Sequence, residues 1–241
     1  MSNLLWVALP YLAILSLIAG LVWRYRYDTF GWTTRSSQLH ESRLLRWASP
    51  AFHYGILFVL AGHLVGLLIP GTWTDEVHVS EHVYHEFSLF GGTAAGVLTV
   101  VGIAALVWRR RTKGPVFLAT TRNDKLMYVF LLASIAMGMW AKLTNSSISH
   151  GYNYRGTIAL WVRSILSFNP QPHRMSDVPT TYQVHIVIGL LLIALVPYTR
   201  LVHMFAAPVQ YLFRPYLVYR SRDPKALAGR KPRRGWEEVG S

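Results

Sequence analysis

Four of the ten histidines in this 241-residue chain stand where an imidazole is costly, inside long apolar runs. His53 and His63 bracket nine nearly all-apolar residues in HYGILFVLAGH (53–63), and His185 and His203 sit in a second run that passes through YQVHIVIG and YTRLVHMF. Ionisable side chains at membrane depth usually line a functional path. An imidazole there can ligate a metal through a neutral nitrogen, carry a proton, or simply hydrogen-bond a carbonyl of a neighbouring helix. Cysteine is absent, which excludes a disulfide framework, a thiolate-bound cluster and a thioether-attached macrocycle within this chain. Any metal here needs nitrogen or oxygen ligands.

The elements that must position these histidines follow from composition. With 52% hydrophobic and only 15% charged residues and a mean hydropathy of +0.27, the chain reads as a membrane protein. Runs of about 20 apolar residues bounded by charge or by Gly and Pro fall at 4–23, 48–69, 87–108, 126–144 and 183–206. The predicted fold is all-α: one bundle of five transmembrane helices over 1–206, without internal repeats, followed by a tail over 207–241. The first run has no basic leader and meets Arg24 and Arg26 without a small-residue cleavage site, so it is expected to stay as the first span rather than act as a signal peptide.

Charge sets the expected orientation. Segment 24–47 carries five Arg, 109–125 six Lys or Arg and the tail eight, whereas 70–86 carries none and 145–182 three. The positive-inside rule then places the N-terminus outside and the C-terminus in the cytoplasm, in a multi-pass protein of the cytoplasmic membrane. The net charge of +13 reads as topology, with anionic lipid and an acidic partner as further counterparts. Nucleic acid is excluded as a partner, because the charges are split among loops and no binding module is visible.

The second and fifth spans cross the membrane in opposite directions. That order sets His53 level with His203 on the inner side and His63 level with His185 on the outer side. One neutral nitrogen from each of two rigid helices is what a haem iron with two axial imidazoles requires, and two such pairs predict two stacked b haems. The spacing resists a perfect match. Ten residues of ideal helix rise about 15 Å and eighteen about 27 Å, and His53 and His63 differ by about 80° around the axis. Tilt and a kink at Pro197 are expected to absorb part of the difference. Gly55, Gly62, Gly66 and Gly189 accompany the histidines and suit close approach by a macrocycle or by another helix, and GGTAAG (91–96) suits a helix contact.

The outer loops differ from the inner ones. Loop 70–86 carries Asp75, Glu76, Glu81 and Glu86 with His78, His82 and His85, and RGTIALWVRSILSF (155–168) predicts a short helix lying at the membrane interface, ended by NPQPH. The tail begins with aromatics between basic residues, suited to docking a partner or lying along the membrane, and ends in a polar Gly- and Pro-rich stretch expected to be disordered.

The segments FHYGILFVLAGHLVG, FGGTAAGVL, LATTRNDKLM, YQVHIVIG and YTRLVHMFAAPVQYLFRPY together resemble the gamma subunit, a dihaem cytochrome b, of respiratory membrane-bound nitrate reductase. The resemblance runs from the first span to about residue 223. It implies that His53 and His203 bind the haem nearer the cytoplasm and that His63 and His185 bind the distal haem. It further implies quinol oxidation near the distal haem with proton release outside, and electron delivery to an iron–sulfur beta subunit and a molybdenum-containing alpha subunit that reduces nitrate. What this chain must supply is an apolar niche beside the outer haem, groups for the quinol oxygens and a proton exit.

His63 and Gly62 are candidates for that quinol site. The family also places a lysine at the start of the third span, where this chain reads SEHVYHEF; His82, Tyr84, His85 and Glu86 are the local substitutes, or merely solvated loop residues. Arg200, a turn before His203, and the Arg109–Arg111 run are candidates to bind propionates of the inner haem, with membrane anchoring as the alternative for the run. Two other functions fit the same pattern: a quinol-linked dihaem cytochrome of a sulfite-reducing or heterodisulfide-type system, and a non-redox transporter or assembly factor whose histidines carry protons or metal.

Overall fold

The computed structural model describes residues 3–28, 31–32, 37, 40–76, 78, 80–145 and 152–206, with the backbone alone at 75, 81, 82, 85 and 145. The tail expected over 207–241 lies outside the described residues. Among those described there is no strand, and five helices are long and apolar enough to cross a membrane: Leu4–Tyr27, Leu45–Leu68, Glu86–Thr112, Arg122–Thr144 and Thr180–Tyr198. The chain is a multi-pass membrane protein. Leu12, Leu15, Ile18 and Val22 on the first of these helices are exposed, the outward apolar face that lipid requires.

The first span opens with a wide π turn at Leu4–Ala8 and continues as α1 (Leu9–Tyr27). Pro10 has no N–H for the carbonyl of Trp6, which instead accepts the indole N–H of Trp161 at 2.9 Å. That bond ties the first span to α7 (Ile158–Leu166), whose ring Trp161 meets Trp6 edge-on at 5.8 Å. The short helix expected between 155 and 168 is therefore present. Its apolar side, Ile158, Trp161 and Ile165, is buried against Trp6, Met175 and Val178 of this chain.

The second and third spans, α2 (Leu45–Leu68) and α4 (Glu81–Thr112), are joined through the short α3 (Gly71–Glu76) and packed closely. A Cβ on Gly55 would lie 2.6 Å from the backbone nitrogen of Thr99, so only glycine lets α4 approach there. Gly102 abuts Phe52 in the same way, and these two contacts set an antiparallel register in which Gly62 and His63 lie level with Gly92 and Gly91. Ser80 caps α4 by accepting from the Val83 amide. After the five-residue α5 (Gly114–Leu118), α6 (Arg122–Asn145) starts from a reciprocal cap: the Thr121 amide donates to Asp124, and the Asp124 amide to the Thr121 hydroxyl. Gly92 and Gly96 of GGTAAG receive Lys142 and Met139 of α6, so that stretch is a helix contact as expected.

The fifth span departs from its predicted 183–206 run. α8 covers Thr180–Leu195 and then yields to a 3₁₀ turn at Val196–Tyr198, an extended Thr199 and a second 3₁₀ segment at Arg200–Phe205. Pro197 cannot donate to the turn before it, and its ring seats against Gly20 of α1. Thr199, at φ −120° and ψ 176°, accepts the Leu201 amide and starts the new segment. His203 thus belongs to a separate short element and not to the helix of His185.

Candidate functional site

His53 and His63 project from α2, ten residues apart, and His185 from α8. The His53 ring stands 6.2 Å from that of His203, centre to centre, and the His63 ring 6.0 Å from that of His185. Two rings that bind one metal from opposite sides, with metal–nitrogen bonds of about 2.0 Å and roughly 1.1 Å more from each nitrogen to its ring centre, have centres about 6.2 Å apart. The observed separations lie at that value or 0.2 Å under it.

The other ring nitrogen of each histidine is occupied. Nδ1 of His53 lies 2.7 Å from the Ser49 carbonyl, with the Ser49 hydroxyl at 3.3 Å; Nδ1 of His63 lies 2.8 Å from the Val59 carbonyl. His185 uses the Ser134 carbonyl of α6 at 3.0 Å, and His203 the Arg200 carbonyl at 2.5 Å. A carbonyl only accepts, so each Nδ1 carries the hydrogen and each Nε2 keeps its lone pair. Orientation of the ligand through its second nitrogen is what metal-binding histidines require. For His63 this also means that the second nitrogen serves a backbone carbonyl and not an outside ligand. His185 is seated by Gly138, where a Cβ would come within 2.9 Å of the imidazole Cε1.

Among the described residues no three or more His, Cys, Asp or Glu side chains converge as a metal cage. Two imidazoles would leave most positions of a transition ion unfilled, so the donor set would suit a metal whose other ligands come from a planar macrocycle. The residues present fit two bis-histidine haems on that geometry.

Residues 2–222 match the family described as nitrate reductase gamma subunit. The chain belongs to the nitrate reductase gamma subunit family. It is 38% identical over 222 residues to the nitrate reductase gamma chain of Bacillus subtilis, covering 92% of this chain and 99% of that one. It is 31% identical over 214 residues to the respiratory nitrate reductase 1 gamma chain of Escherichia coli, covering 88% and 94%. With the nitrate reductase-like protein NarX of Mycobacterium tuberculosis it shares 52% identity over 237 residues, 98% of this chain; it spans 36% of the length of that relative.

The remaining candidates of this gamma-family chain are distributed unevenly. Gly62 is open: a Cβ there would meet nothing within 4 Å. Tyr84 lies under the Arg155 guanidinium at 4.1 Å, and its hydroxyl is 3.4 Å from that of Tyr154, which in turn abuts Gly66 of α2. The side chains of His82 and His85 lie outside the described residues, although their backbone opens α4. Arg200 gives two N–H groups to the two oxygens of Asp124, at 2.6 and 2.5 Å, so its first partner is a carboxylate of this chain. Arg109 is only 2% exposed and bonds the Ser37 hydroxyl and carbonyl and the Glu41 carboxylate and carbonyl. Its fork is thereby engaged by the loop before α2. Arg110 bonds Thr120 and covers Tyr128.

Two residues escaped the sequence reading. Asp124 was legible only as the last residue of a Thr-x-x-Asp helix start. Lys142, the lone lysine inside the fourth run, stretches from α6 to the Ser88 carbonyl of α4 at 3.1 Å, and its ammonium lies 3.0 Å from the site of a Cβ on Gly92. Among the described residues it has no carboxylate partner, and an intramembrane cation was the signal that marked it.

Proposed function

We propose that this chain is the membrane cytochrome b subunit of a quinol:nitrate oxidoreductase. It oxidises quinol near the outer face and delivers electrons on the inner side to an iron–sulfur partner subunit, for nitrate reduction on a molybdenum-containing one. The observation that carries this reading is the double histidine pairing, with all four Nε2 lone pairs freed by carbonyls at Nδ1. His53 and His203 would hold the inner haem, and His63 and His185 the outer one. When bound, two b haems supply one-electron transfer between the two sides of the membrane.

The chain's own residues provide the rest. Gly62 leaves one flank of His63 open, and the register of α2 on α4 brings the Lys142 ammonium to the same level. That ammonium, donating to a quinol oxygen, stabilises the developing phenolate. It thereby supplies from the fourth span the cation that the start of the third span lacks. Tyr84 and Tyr154, with Arg155, form a polar cluster beside Gly66 through which protons can leave the niche.

A potentiometric titration of membranes holding the intact complex tests the reading. Two b-type components are expected, with the higher-lying steps of one displaced by a quinol-site inhibitor. Correctly folded protein without porphyrin iron would overturn it.

A further inference from the structure

The segment LATTRNDKLM (118–127) has no place in the haem or quinol chemistry, yet it touches the element that carries His203 at one point and the turn just before it at another. Asn123 donates through Nδ2 to the Tyr198 carbonyl at 2.5 Å, and Asp124 takes Arg200 through both oxygens. Arg200 is also the residue whose carbonyl receives Nδ1 of His203. One residue therefore joins the ion pair to the imidazole.

The need for such a device follows from the broken fifth span. Once α8 ends at Leu195, the 3₁₀ segment Arg200–Phe205 is too short to hold a direction by its own hydrogen bonds. Asp124 is buried at the start of α6, and its carboxylate is oriented by the backbone amide of Thr121, which donates to Oδ2; the Thr121 hydroxyl accepts from the Asp124 amide. A bidentate carboxylate–guanidinium pair restricts both distance and angle, which a single hydrogen bond does not.

We propose that Asp124, acting through Arg200, is the positioning residue for the inner ligand His203, with Asn123 as its second point of attachment. This rests on the assignment of His53 and His203 to the inner haem. Asp124 holds the Arg200 backbone, the Arg200 carbonyl fixes the His203 ring, and that ring is thereby held with its centre 6.2 Å from that of His53. His185 draws on a different carbonyl, that of Ser134 on α6, so the outer site does not depend on this contact.

The experiment uses the full complex in its membrane, with Asp124→Asn, Arg200→Gln, Thr121→Ala and His203→Ala, and reads haem content, the low-spin paramagnetic resonance signals and both midpoint potentials. Asp124→Asn and Arg200→Gln are each expected to weaken retention of the inner haem by about tenfold, in line with loss of an outer-shell partner, and to shift its resonance signal and potential. The outer haem serves as the internal standard and stays unchanged. Thr121→Ala removes a capping hydroxyl but keeps the ion pair, and is expected to leave both haems as they are. Unaltered inner-haem signals in Asp124→Asn and Arg200→Gln would overturn the proposal. So would an equal defect in Thr121→Ala, which would trace the effect to the helix start. Retention of both haems in His203→Ala would remove the ligand assignment itself, an outcome distinct from the other two.

Discussion

His53 and His203 face each other at 6.2 Å between ring centres, although only His53 sits in a regular membrane helix. On one continuous fifth helix His203 would lie about 27 Å beyond His185, against about 15 Å between His63 and His53 on α2. The break at Pro197 and Thr199 takes His203 off that axis, so two pairs form that continuous helices would not bring level. The same relationship separates the two sites experimentally.

His63→Ala and His185→Ala are expected to remove the outer haem and quinol oxidation while sparing the inner component. His53→Ala and His203→Ala are expected to remove the inner haem. Difference spectra and a redox titration of each variant check the division; retention of both components in any of the four would remove that residue from the ligand set.

Gly55→Ala and Gly62→Ala form a contrasting pair on one helix. A Cβ at 55 presses on the Thr99 backbone at 2.6 Å, and overpacking of this kind costs about 1–3 kcal/mol. At 62 it meets nothing within 4 Å, so the fold is expected to be indifferent. Thermal unfolding in detergent should separate the two. A slowed quinol turnover in Gly62→Ala alone would then locate the substrate beside His63.

Lys142→Met keeps an unbranched side chain, one heavy atom shorter, and discards its charge. Hydrogen bonds to charged groups are worth about 1.5–3 kcal/mol, so kcat/KM for quinol is expected to fall about tenfold or more, with both haem spectra preserved. An unchanged kcat/KM would return Lys142 to a purely structural contact with Ser88.

Acid should loosen the loop before α2. The Leu44 amide, and after it the Arg109 guanidinium, hold the Glu41 carboxyl below its usual value of 4.5 against the opposing effect of desolvation. A carboxyl with a lowered folded value contributes stability that is complete above its unfolded value and is lost as pH falls through the folded one. The thermal stability of the wild-type chain should therefore approach that of Glu41→Gln as pH drops from about 7 to about 4 and lower. A gap that stays constant across that range would mean that the carboxylate charge contributes nothing.

Much of the architecture was legible because apolar length is a local property. The five long runs, the short helix after Arg155 and the identity of GGTAAG as a helix contact all depend on neighbours in the chain, and each is present in the structure. The order of crossing also sufficed to name which histidine rings approach each other. Hidden from that reading were the end of α8 at Leu195, the use of Arg109 by Ser37 and Glu41, the capture of Arg200 by Asp124 and the reach of Lys142 to Ser88. Each of these pairs joins residues more than fifty positions apart or turns on where a chain leaves its axis.

By itself, then, the sequence determined the solvent, the number of spans and the four imidazoles, since hydropathy and residue type are carried by each segment alone. Only the tertiary structure decided that His185 turns Nδ1 to the Ser134 carbonyl of α6, that His203 meets His53 from beyond a broken helix and that Arg200 pairs with Asp124. Those contacts join different helices, and no spacing along one chain segment encodes them, whereas the Nδ1 bonds of His53, His63 and His203 go to carbonyls three or four residues earlier in the chain.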